Sequence, residues 1–255
     1  MQPAATFIKL DRLASTNTYV KEHAASLPDC AVVYTPDQTA GRGWGSNRWE
    51  AEPGKNLSFT ILYRPERLAP ARQWLVSVCT ALGIVDAVSE LIGTRDVSVK
   101  WPNDIYVGER KLAGILIENS ITGDRLEHTV IGVGLNVNQT RFISDAPNPV
   151  SLAQVARHEF DLDSLLTAVV SQILTRLDSA VHDDALALDF ERQFAARLFR
   201  NDGKPHRWLT VQGTPFTATV AGVNSLGELI LRHDDTEHTY GFKQVKHVIN
   251  NNLTL

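Results

Sequence analysis

Cysteine is scarce in this sequence, which contains only Cys30 and Cys79. The two lie far apart and lack the spacing of metal ligands, a usage typical of buried thiols in a reducing compartment. No apolar run approaches the roughly 18 residues of a membrane helix, and residues 1–10 contain no long apolar segment of a signal peptide. These absences favour a cytoplasmic location, so no membrane partner is expected.

The sequence also has no excess of basic residues. Its 25 Lys and Arg are outnumbered by 29 Asp and Glu, which gives a net charge of −4, whereas nucleic-acid-binding proteins usually carry a basic patch or stripe. A hydrophobic content of 43% with 21% charged residues is ordinary for a globular protein. The 255 residues suffice for one large or two smaller domains. No nucleic-acid partner is therefore expected.

A pattern of alternating residues stands near the middle of the chain. Apolar residues alternate with polar ones over residues 97–101, which predicts a strand with one face in the core. Pro102-Asn103-Asp104 favours a turn because proline fixes φ and Asn or Asp tolerates turn geometry. Residues 105–107 and 111–118 then form two further predicted strands. The result is a meander of three short strands.

This meander places charged residues at strand ends. Lys100, Asp104 and Lys111 are the residues concerned. Strands hold side chains more rigidly than loops do, so two lysines and one aspartate in this arrangement suit a site that handles anions. The alternative is a surface hairpin with ordinary solvated lysines, and the pattern alone does not decide between them.

A glycine-rich loop covers residues 38–49, with three glycines in five positions. Such a backbone is permissive, and its N–H groups can turn toward an anion. The loop lacks the Gly-Lys-Ser/Thr of a Walker motif, and its third glycine is misplaced for a dinucleotide fingerprint. Arg42 lies between two glycines and can fold its guanidinium over a carboxylate or phosphate. Trp44 and Trp49 either serve the site or pack into the core.

Polar residues also mark the ends of two other predicted elements. Ser15-Thr16-Asn17 precedes a helix predicted over residues 18–25, where it is either a cap or a hydrogen-bonding site for a small ligand. A strand over residues 129–137 contains glycines at alternate positions, which let another group approach its backbone. Asn136 is expected to point the same way as Gly134, into that gap.

The remaining elements predict an α+β fold with a domain boundary near Asn201, where predicted helices give way to short strands. The first part contains a core strand at 56–62 and helices at 71–92, 161–177 and 185–199. Short, evenly spaced strands follow and predict a small barrel or sandwich. They cover residues 208–211, 216–223, 229–232 and 239–242.

Together these motifs resemble those of biotin protein ligases, in the same order along the chain. The resemblance is strong over residues 11–138, and it implies a mixed, mainly antiparallel sheet with packed helices, as in class II synthetases. It implies a catalytic domain over residues 1–200 and a small SH3-like domain over residues 201–255. The motifs are Ser15-Thr16-Asn17, Gln38-x-x-Gly41-Arg42-Gly43, Lys100-Trp101-Pro102-Asn103-Asp104, Arg110-Lys111-Leu112-Ala113-Gly114-Ile115-Leu116 and Gly132-x-Gly134-Leu135-Asn136.

The resemblance implies a reaction in two steps. Biotin and ATP, with Mg²⁺, form biotinyl-5′-AMP, and the biotin then passes to a lysine of the biotin carboxyl carrier protein of acetyl-CoA carboxylase or a related carboxylase. Positioning and positive charge should supply most of the rate, so no Ser-His-Asp or Cys-His constellation is needed. The catalytic part starts near residue 1, so the DNA-binding domain of some members is expected to be absent. A monomer and a homodimer both stay open.

The resemblance also implies roles for individual residues. Lys111 matches the lysine that contacts biotin and the reacting phosphate, Arg42 matches the loop arginine that orders over the activated carboxylate, and Lys100 helps to neutralise phosphate. Asp104 positions a lysine or contacts Mg²⁺, and the metal site itself is left unknown. The implied biotin-binding residues are Ser15, Thr16, Asn17, Gln38, Arg42, Gly43, Trp44 and Lys111. The implied adenylate-binding residues are Trp49, Asn103 and Asn136.

One position departs from the family pattern. Several members carry a basic residue immediately after the second loop glycine, where this sequence has Trp44. The position is therefore not expected to supply positive charge. We expect Trp44 to cover the intermediate as an apolar lid that limits the access of water.

Two other functions stay open at this level. A lipoate or octanoate protein ligase shares the broad fold, but its pocket must hold an unbranched acyl chain, and the loop at residues 38–43 favours biotin. A non-catalytic biotin or nucleotide sensor would keep the pocket and lose charge at the reacting atoms. The presence of Arg42, Lys100, Asp104 and Lys111 argues against a sensor.

Overall fold

A seven-stranded sheet forms the centre of the protein, seen here in a computed structural model that describes residues 4–65, 67–93, 96–143 and 148–249. Its order is β1-β2-β3-β7-β6-β5-β4. β1 and β2 run parallel, and the other described neighbours pair antiparallel. The predicted mixed, mainly antiparallel sheet is thus confirmed. The strands are β1 (Thr6–Lys9), β2 (Ala31–Thr35), β3 (Leu57–Tyr63), β4 (Val97–Lys100), β5 (Asp104–Val107), β6 (Arg110–Thr122) and β7 (Arg125–Leu135).

Helices cover this sheet, and polar caps set several of their starts. Ser15 precedes α1, which begins two residues earlier than predicted, and Asp161 caps α4 through a 2.8 Å bond from the Ser164 N–H. Side-chain caps of this kind satisfy N–H groups that the helix itself leaves unpaired. The helices are α1 (Thr16–His23), α2 (Trp74–Ile92), α3 (Leu152–Ala156), α4 (Leu162–His182) and α5 (Asp184–Ala196), with a 3₁₀ turn at Pro70–Arg72.

Helix α2 is a long, strongly apolar helix. Together with the preceding turn, residues 70–92 are long and apolar enough to span a membrane by length and composition, which the sequence analysis did not anticipate. About two-thirds of the apolar stretch is buried inside the protein, where α4, α5 and the sheet pack against it. Burial of this kind is typical of a core helix, whose apolar surface needs no lipid.

A second, five-stranded sheet follows α5. Its neighbouring strands pair antiparallel in the order β11-β10-β9-β8-β12. This arrangement is consistent with the small barrel-like unit that the strand spacing predicted. β11 begins three residues earlier than expected, and the three-residue β12 was missed because it is too short to give a pattern. The strands are β8 (His206–Thr210), β9 (Pro215–Val223), β10 (Leu229–His233), β11 (Thr236–Tyr240) and β12 (Val245–His247).

Close contact between α2 and α4 generates a prediction about Gly83. A Cβ atom at this position would lie 2.8 Å from the backbone of Ile173 on α4. Alanine favours helix by up to about 1 kcal/mol over glycine, but the collision should outweigh that gain. Gly83→Ala is expected to lower the free energy of unfolding, measured in urea, by about 1–3 kcal/mol. The control Glu90→Ala, on the exposed side of α2, should change it by no more than about 0.5 kcal/mol. A Gly83→Ala protein as stable as the parent would contradict the packing argument.

Candidate functional site

A pocket of about 160 Å³ opens on the face of the large sheet, beside the start of α1. Glycines of β6 and β7 form its floor, where Gly114 is paired with Gly134 and Gly132 lies two residues before it. A Cβ atom at Gly132 would overlap the Asn17 amide, and one at Gly134 would overlap the Trp49 indole. The absence of side chains on this floor therefore lets a polar residue and an aromatic ring lie directly on the sheet.

Most of the predicted site residues line this one pocket. The sequence motifs thus converge in space, although they come from five separate segments. The lining includes Thr16, Asn17, Gln38, Arg42, Gly43, Trp44, Trp49, Asn103, Asp104 and Lys111. It does not include Ser15, Lys100 and Asn136. Further lining residues that the sequence analysis missed are Asn47, Arg48, Ile115, Leu116, Val133, Phe242 and Lys243.

One end of the pocket is a buried polar cluster. The Gln38 side-chain oxygen accepts from the Thr16 N–H at 3.0 Å. The Thr60 hydroxyl donates to Asn17 Oδ1 at 2.7 Å and lies 2.8 Å from Thr16 Oγ1. The Asn17 Nδ2 group donates to the Leu116 carbonyl at 3.1 Å. Thr60 was missed, although a polar residue inside a fully buried strand is the signal that could have found it.

Ser15 stands behind this cluster. Its side chain is buried and accepts a long, 3.4 Å hydrogen bond from the Thr18 N–H, which makes it the cap of α1. Of the two interpretations that the sequence left open for Ser15, the geometry favours the cap. Thr16 and Asn17, one and two residues later, carry the polar groups that face the pocket.

The opposite end of the pocket contains an ion pair. The Lys111 ammonium lies 2.6 Å from Asp104 Oδ1, and both side chains are about one-fifth exposed. The register between β5 and β6 shifts after Ile105, so that Asp104 pairs with Gly114 and Tyr106 with Lys111. The Lys111 ammonium also lies 5.7 Å from the centre of the Trp49 ring. Asp104 is thus a direct partner of the lysine.

Lys100 lies next to this pair without lining the pocket. Its Cα is the register partner of Asp104, and its ammonium lies 5.3 Å from the Tyr106 ring. Burial lowers the pKa of Lys100, an effect that Asp104 opposes and that Lys111 and Lys246 reinforce. Lys100 therefore contributes charge to the surroundings of the ion pair and does not line the pocket itself.

The glycine-rich loop is folded into a short hairpin over residues 41–49. The Trp49 N–H donates to the Gly41 carbonyl at 2.9 Å, and the Gly43 N–H donates to the Asn47 carbonyl at 2.8 Å. Ladder bonds of this kind order a loop that its glycines would otherwise leave free. The hairpin forms one wall of the pocket.

The tip of this hairpin contacts the loop between β11 and β12. The Trp44 ring stacks on Phe242 with centroids 4.8 Å apart, and the Lys243 ammonium lies 4.5 Å from the Trp44 ring. Phe242 and Lys243 could not be found from sequence because the residues that they meet are about 200 positions away. The loop between β11 and β12 thus completes the rim of the pocket.

The three residues predicted to bind the nucleotide are placed differently. Trp49 lies on the glycine floor, and its buried Nε1 has no hydrogen-bond partner within the described part of the chain. Asn103 lines the pocket and is tied to β6, where its Nδ2 donates to the Ile115 carbonyl at 2.6 Å. Asn136 is buried outside the lining and donates to the Val150 carbonyl at 3.1 Å. Its expected orientation into the gap beside Gly134 is therefore wrong, because its amide instead bonds to the segment that follows β7.

The side chains that line the pocket offer few ligands for a metal ion. Within the described ranges, no group of three or more His, Cys, Asp and Glu residues is arranged to hold a metal ion. Asp104, the carboxylate in the pocket lining, is already engaged with Lys111. The side chains at the pocket therefore favour the lysine-positioning alternative for Asp104.

Comparison with known proteins agrees with this geometry. The profile of the biotin/lipoate A/B protein ligase family matches residues 10–136. The bifunctional ligase/repressor BirA of Bacillus subtilis is 32% identical over 59% of this chain and 47% of its own length. The chain spans about half the length of several curated relatives that it matches.

A solved structure matches nearly the whole chain, and a second relative is matched over more of its own length. Biotin protein ligase from Aquifex aeolicus in complex with biotin and ATP has a TM-score of 0.79 at 20% identity, covering 95% of this chain and 99% of that chain. That similarity concerns the fold alone. The biotin–[acetyl-CoA-carboxylase] ligase of Paracoccus denitrificans is 32% identical over 62% of this chain and 67% of its own length. The chain therefore belongs to the biotin/lipoate A/B protein ligase family, among its biotin protein ligases.

Proposed function

We propose that this protein is an ATP-dependent ligase that converts biotin to biotinyl-5′-AMP. It then transfers the biotin to a lysine of the biotin carboxyl carrier protein of acetyl-CoA carboxylase or a related carboxylase. The observation that carries this proposal is the pairing, in one pocket, of a buried polar cluster with the Lys111–Asp104 ion pair beneath an arginine-bearing hairpin. One end recognises a polar ring, and the other holds charge for an anionic reaction.

The polar end suits the ureido ring of biotin. That ring presents two N–H donors and one carbonyl acceptor, and Thr16, Asn17 and Gln38 offer matching groups in a fixed arrangement. An unbranched acid such as octanoate, or the dithiolane ring of lipoate, has no N–H or carbonyl group to add to this cluster, and it would forgo hydrogen bonds worth about 0.5–1.5 kcal/mol each. The cluster therefore favours biotin over the acids of the related ligases.

In the first step, a carboxylate oxygen of biotin attacks the α-phosphorus of ATP. The bond between that phosphorus and the bridging oxygen breaks, and pyrophosphate leaves. Both reactants are anions, so the protein must mainly position them and supply positive charge. Lys111 is the proposed contact to the carboxylate and the reacting phosphate, Asp104 holds its ammonium in place, and Arg42 covers the activated carboxylate from the hairpin.

Mg²⁺ enters this scheme with ATP as part of the co-substrate. The ion usually keeps several waters and binds substrate phosphates with few protein ligands, which agrees with the sparse carboxylates of the described pocket. Trp49 is the proposed partner of the adenine, since its ring lies at the pocket and its buried N–H finds no acceptor among the described residues. Lys100 adds positive charge from the neighbouring strand, while Asn103 and Asn136 keep their proposed places near the adenylate.

In the second step, the amine of the carrier lysine attacks the acyl carbon of the mixed anhydride. The bond from that carbon to the phosphate oxygen breaks, AMP leaves, and the new amide forms as the nitrogen loses a proton. A pocket of about 160 Å³ is smaller than the roughly 300–1,000 Å³ of typical small-molecule sites. We therefore propose that the Trp49 ring moves on the glycine floor to admit the intermediate, and that Gly43 and Trp44 cover it.

Three broader assignments accompany this proposal. The protein acts in the cytoplasm, does not use DNA as a partner, and works as a monomer or homodimer. A catalytic unit over residues 1–200 and an SH3-like unit over residues 201–255 remain the proposed domains. The size of the particle in solution would test the oligomeric state.

Mass spectrometry of a carrier domain tests the function directly. A biotin carboxyl carrier domain is incubated with this protein, ATP and biotin, and in parallel with octanoate or lipoate. We expect the mass of one biotinyl group on the carrier with biotin and none with the other acids, because only biotin satisfies the polar cluster. Modification by lipoate or octanoate in preference to biotin would identify the related ligase instead, and binding of biotin without any transfer would identify a sensor.

Replacing Lys111 tests the charged end of the pocket. Lys111→Met keeps most of the length of the side chain and removes its charge, so the rate of biotin-dependent exchange between pyrophosphate and ATP should fall by about 10²–10³-fold. Unfolding should remain cooperative because the lysine side chain is partly exposed. The matched control is Lys55→Met, whose ammonium pairs with Glu159 away from the pocket lining. Near-parental exchange in Lys111→Met would remove Lys111 from the chemistry.

Replacing Trp44 tests the proposed lid. Trp44→Ala removes the stack on Phe242, and an aromatic pair contributes about 0.5–1.5 kcal/mol. Free biotinyl-5′-AMP should therefore escape roughly two- to tenfold faster in a filter or rapid-gel assay without carrier. Leu188→Ala, an exposed apolar position on α5, serves as the control. If Trp44→Ala released the adenylate no faster than the parent, Trp44 would not act as a lid.

A further inference from the structure

Glu118, on β6 seven residues after Lys111, makes polar contacts with three other side chains. Both terminal nitrogens of Arg42 donate to its carboxylate, at 3.2 and 3.3 Å. The Lys21 ammonium lies 3.1 Å from Oε1, and Asn17 Nδ2 lies 3.3 Å from Oε2. One carboxylate on β6 thus connects two residues of α1 with the arginine of the hairpin.

The charge state of Glu118 fits this set of contacts. Burial alone would raise its pKa, but hydrogen bonds from Lys21 and Asn17 and the nearby charge of Arg42 outweigh that effect, so the pKa of Glu118 lies below its ordinary value. Its side chain is 21% exposed, half the exposure of the Arg42 side chain. Glu118 is therefore a fixed anion at neutral pH, and the more exposed arginine is the partner that it holds.

Arg42 can bind a ligand while it is paired with Glu118. A guanidinium has five N–H donors in one plane, and two of them are used in the bonds to Glu118. Arg42 itself lines the pocket. The arginine can therefore keep its bidentate contact with Glu118 on one side while its remaining donors face a carboxylate or phosphate in the pocket.

We propose that Glu118 is a positioning residue, which holds the Arg42 guanidinium over the pocket before any ligand arrives. This inference rests on the proposed function for its catalytic meaning. Ordering a loop side chain on binding costs about 0.5–1.5 kcal/mol per immobilised group, and the ion pair with Glu118 meets part of that cost in advance. The hairpin is then fixed at its base by Glu118 and at its tip by Phe242.

The kinetic test is Glu118→Gln in the full-length protein. The substitution keeps the shape of the side chain and removes the charge that holds the arginine. The KM for biotin in pyrophosphate exchange should rise roughly two- to fivefold, the upper part of the range expected for a partly exposed ion pair. The kcat at saturating biotin should change by less than about twofold, because bound ligand can itself order Arg42. An unchanged or lower KM would overturn the proposal, and a lower KM would mean that Glu118 competes with the ligand for the arginine.

A double-mutant cycle separates positioning from general stability. In an Arg42→Ala background, Glu118→Gln should leave the KM for biotin unaltered, because there is no arginine left to position. Equal effects of Glu118→Gln in the two backgrounds would show that the carboxylate acts without Arg42 and would contradict the inference. The matched control is Asp86→Asn, which removes the charge from another arginine–carboxylate pair, where two Arg176 nitrogens donate to Asp86 Oδ2 between α2 and α4. It should lower the melting temperature and leave the KM unchanged.

Hydrogen exchange tests the same inference without any reaction. In the ligand-free protein, Glu118→Gln should speed exchange at the Gly43 and Trp49 amides, which close the hairpin, while Asp86→Asn should not. Unchanged exchange at both amides would overturn the proposal even if the protein proved to be no biotin ligase. A parent protein that fails to modify the carrier, with faster hairpin exchange in Glu118→Gln, would refute the proposed function and leave the positioning role in place.

Discussion

The site depends on how closely side chains approach the backbone of β7. Asn17 and Trp49 occupy the space where side chains at positions 132 and 134 would stand. Because these positions are glycines, a buried amide and an indole lie against the sheet, and the pocket between them acquires a polar end and an aromatic wall. Two neighbouring strands supply the rest, since the register of β5 and β6 brings Asp104 and Lys111 together. The chemistry at each end therefore follows from the packing of the floor.

Much of this arrangement could be predicted because it depends on local signals. The alternation over residues 97–101, the turn at Pro102-Asn103-Asp104 and the glycines of the loop each act over a few residues, and the strands and turns formed where expected. The motifs around Lys111 and Arg42 identified residues that line one pocket. Their meeting in space did not follow from any single pattern, and it was the resemblance to a family that placed them together.

The residues that escaped prediction are those whose partners are distant in the sequence. From the sequence, Thr60 is one more residue of a core strand. Only the fold shows that its hydroxyl donates a hydrogen bond to Asn17 Oδ1. Phe242 ends a pattern of weak alternation, and only the fold brings Trp44 onto it. Glu118 reads as an ordinary solvated acid because its cations, Lys21 and Arg42, belong to other elements. Asn136 is the opposite case, since it was expected to point into the gap beside Gly134, whereas its amide bonds to the main chain at Val150.

Near Asn201 the sequence changes from long helices to short strands, but the apolar core continues across this position. One continuous cluster of buried apolar residues runs from the large sheet into the second, where it includes Trp208 and Leu231. The Trp101 indole N–H donates to the Gly227 carbonyl at 2.8 Å, so the residue that follows β4 is bonded to the turn before β10. The second sheet is thus fixed relative to the pocket, and Phe242 meets the hairpin at a defined place. Separation at the boundary would expose apolar core on both sides and remove one wall of the site, so the activity and the stability of the two parts should be lost together.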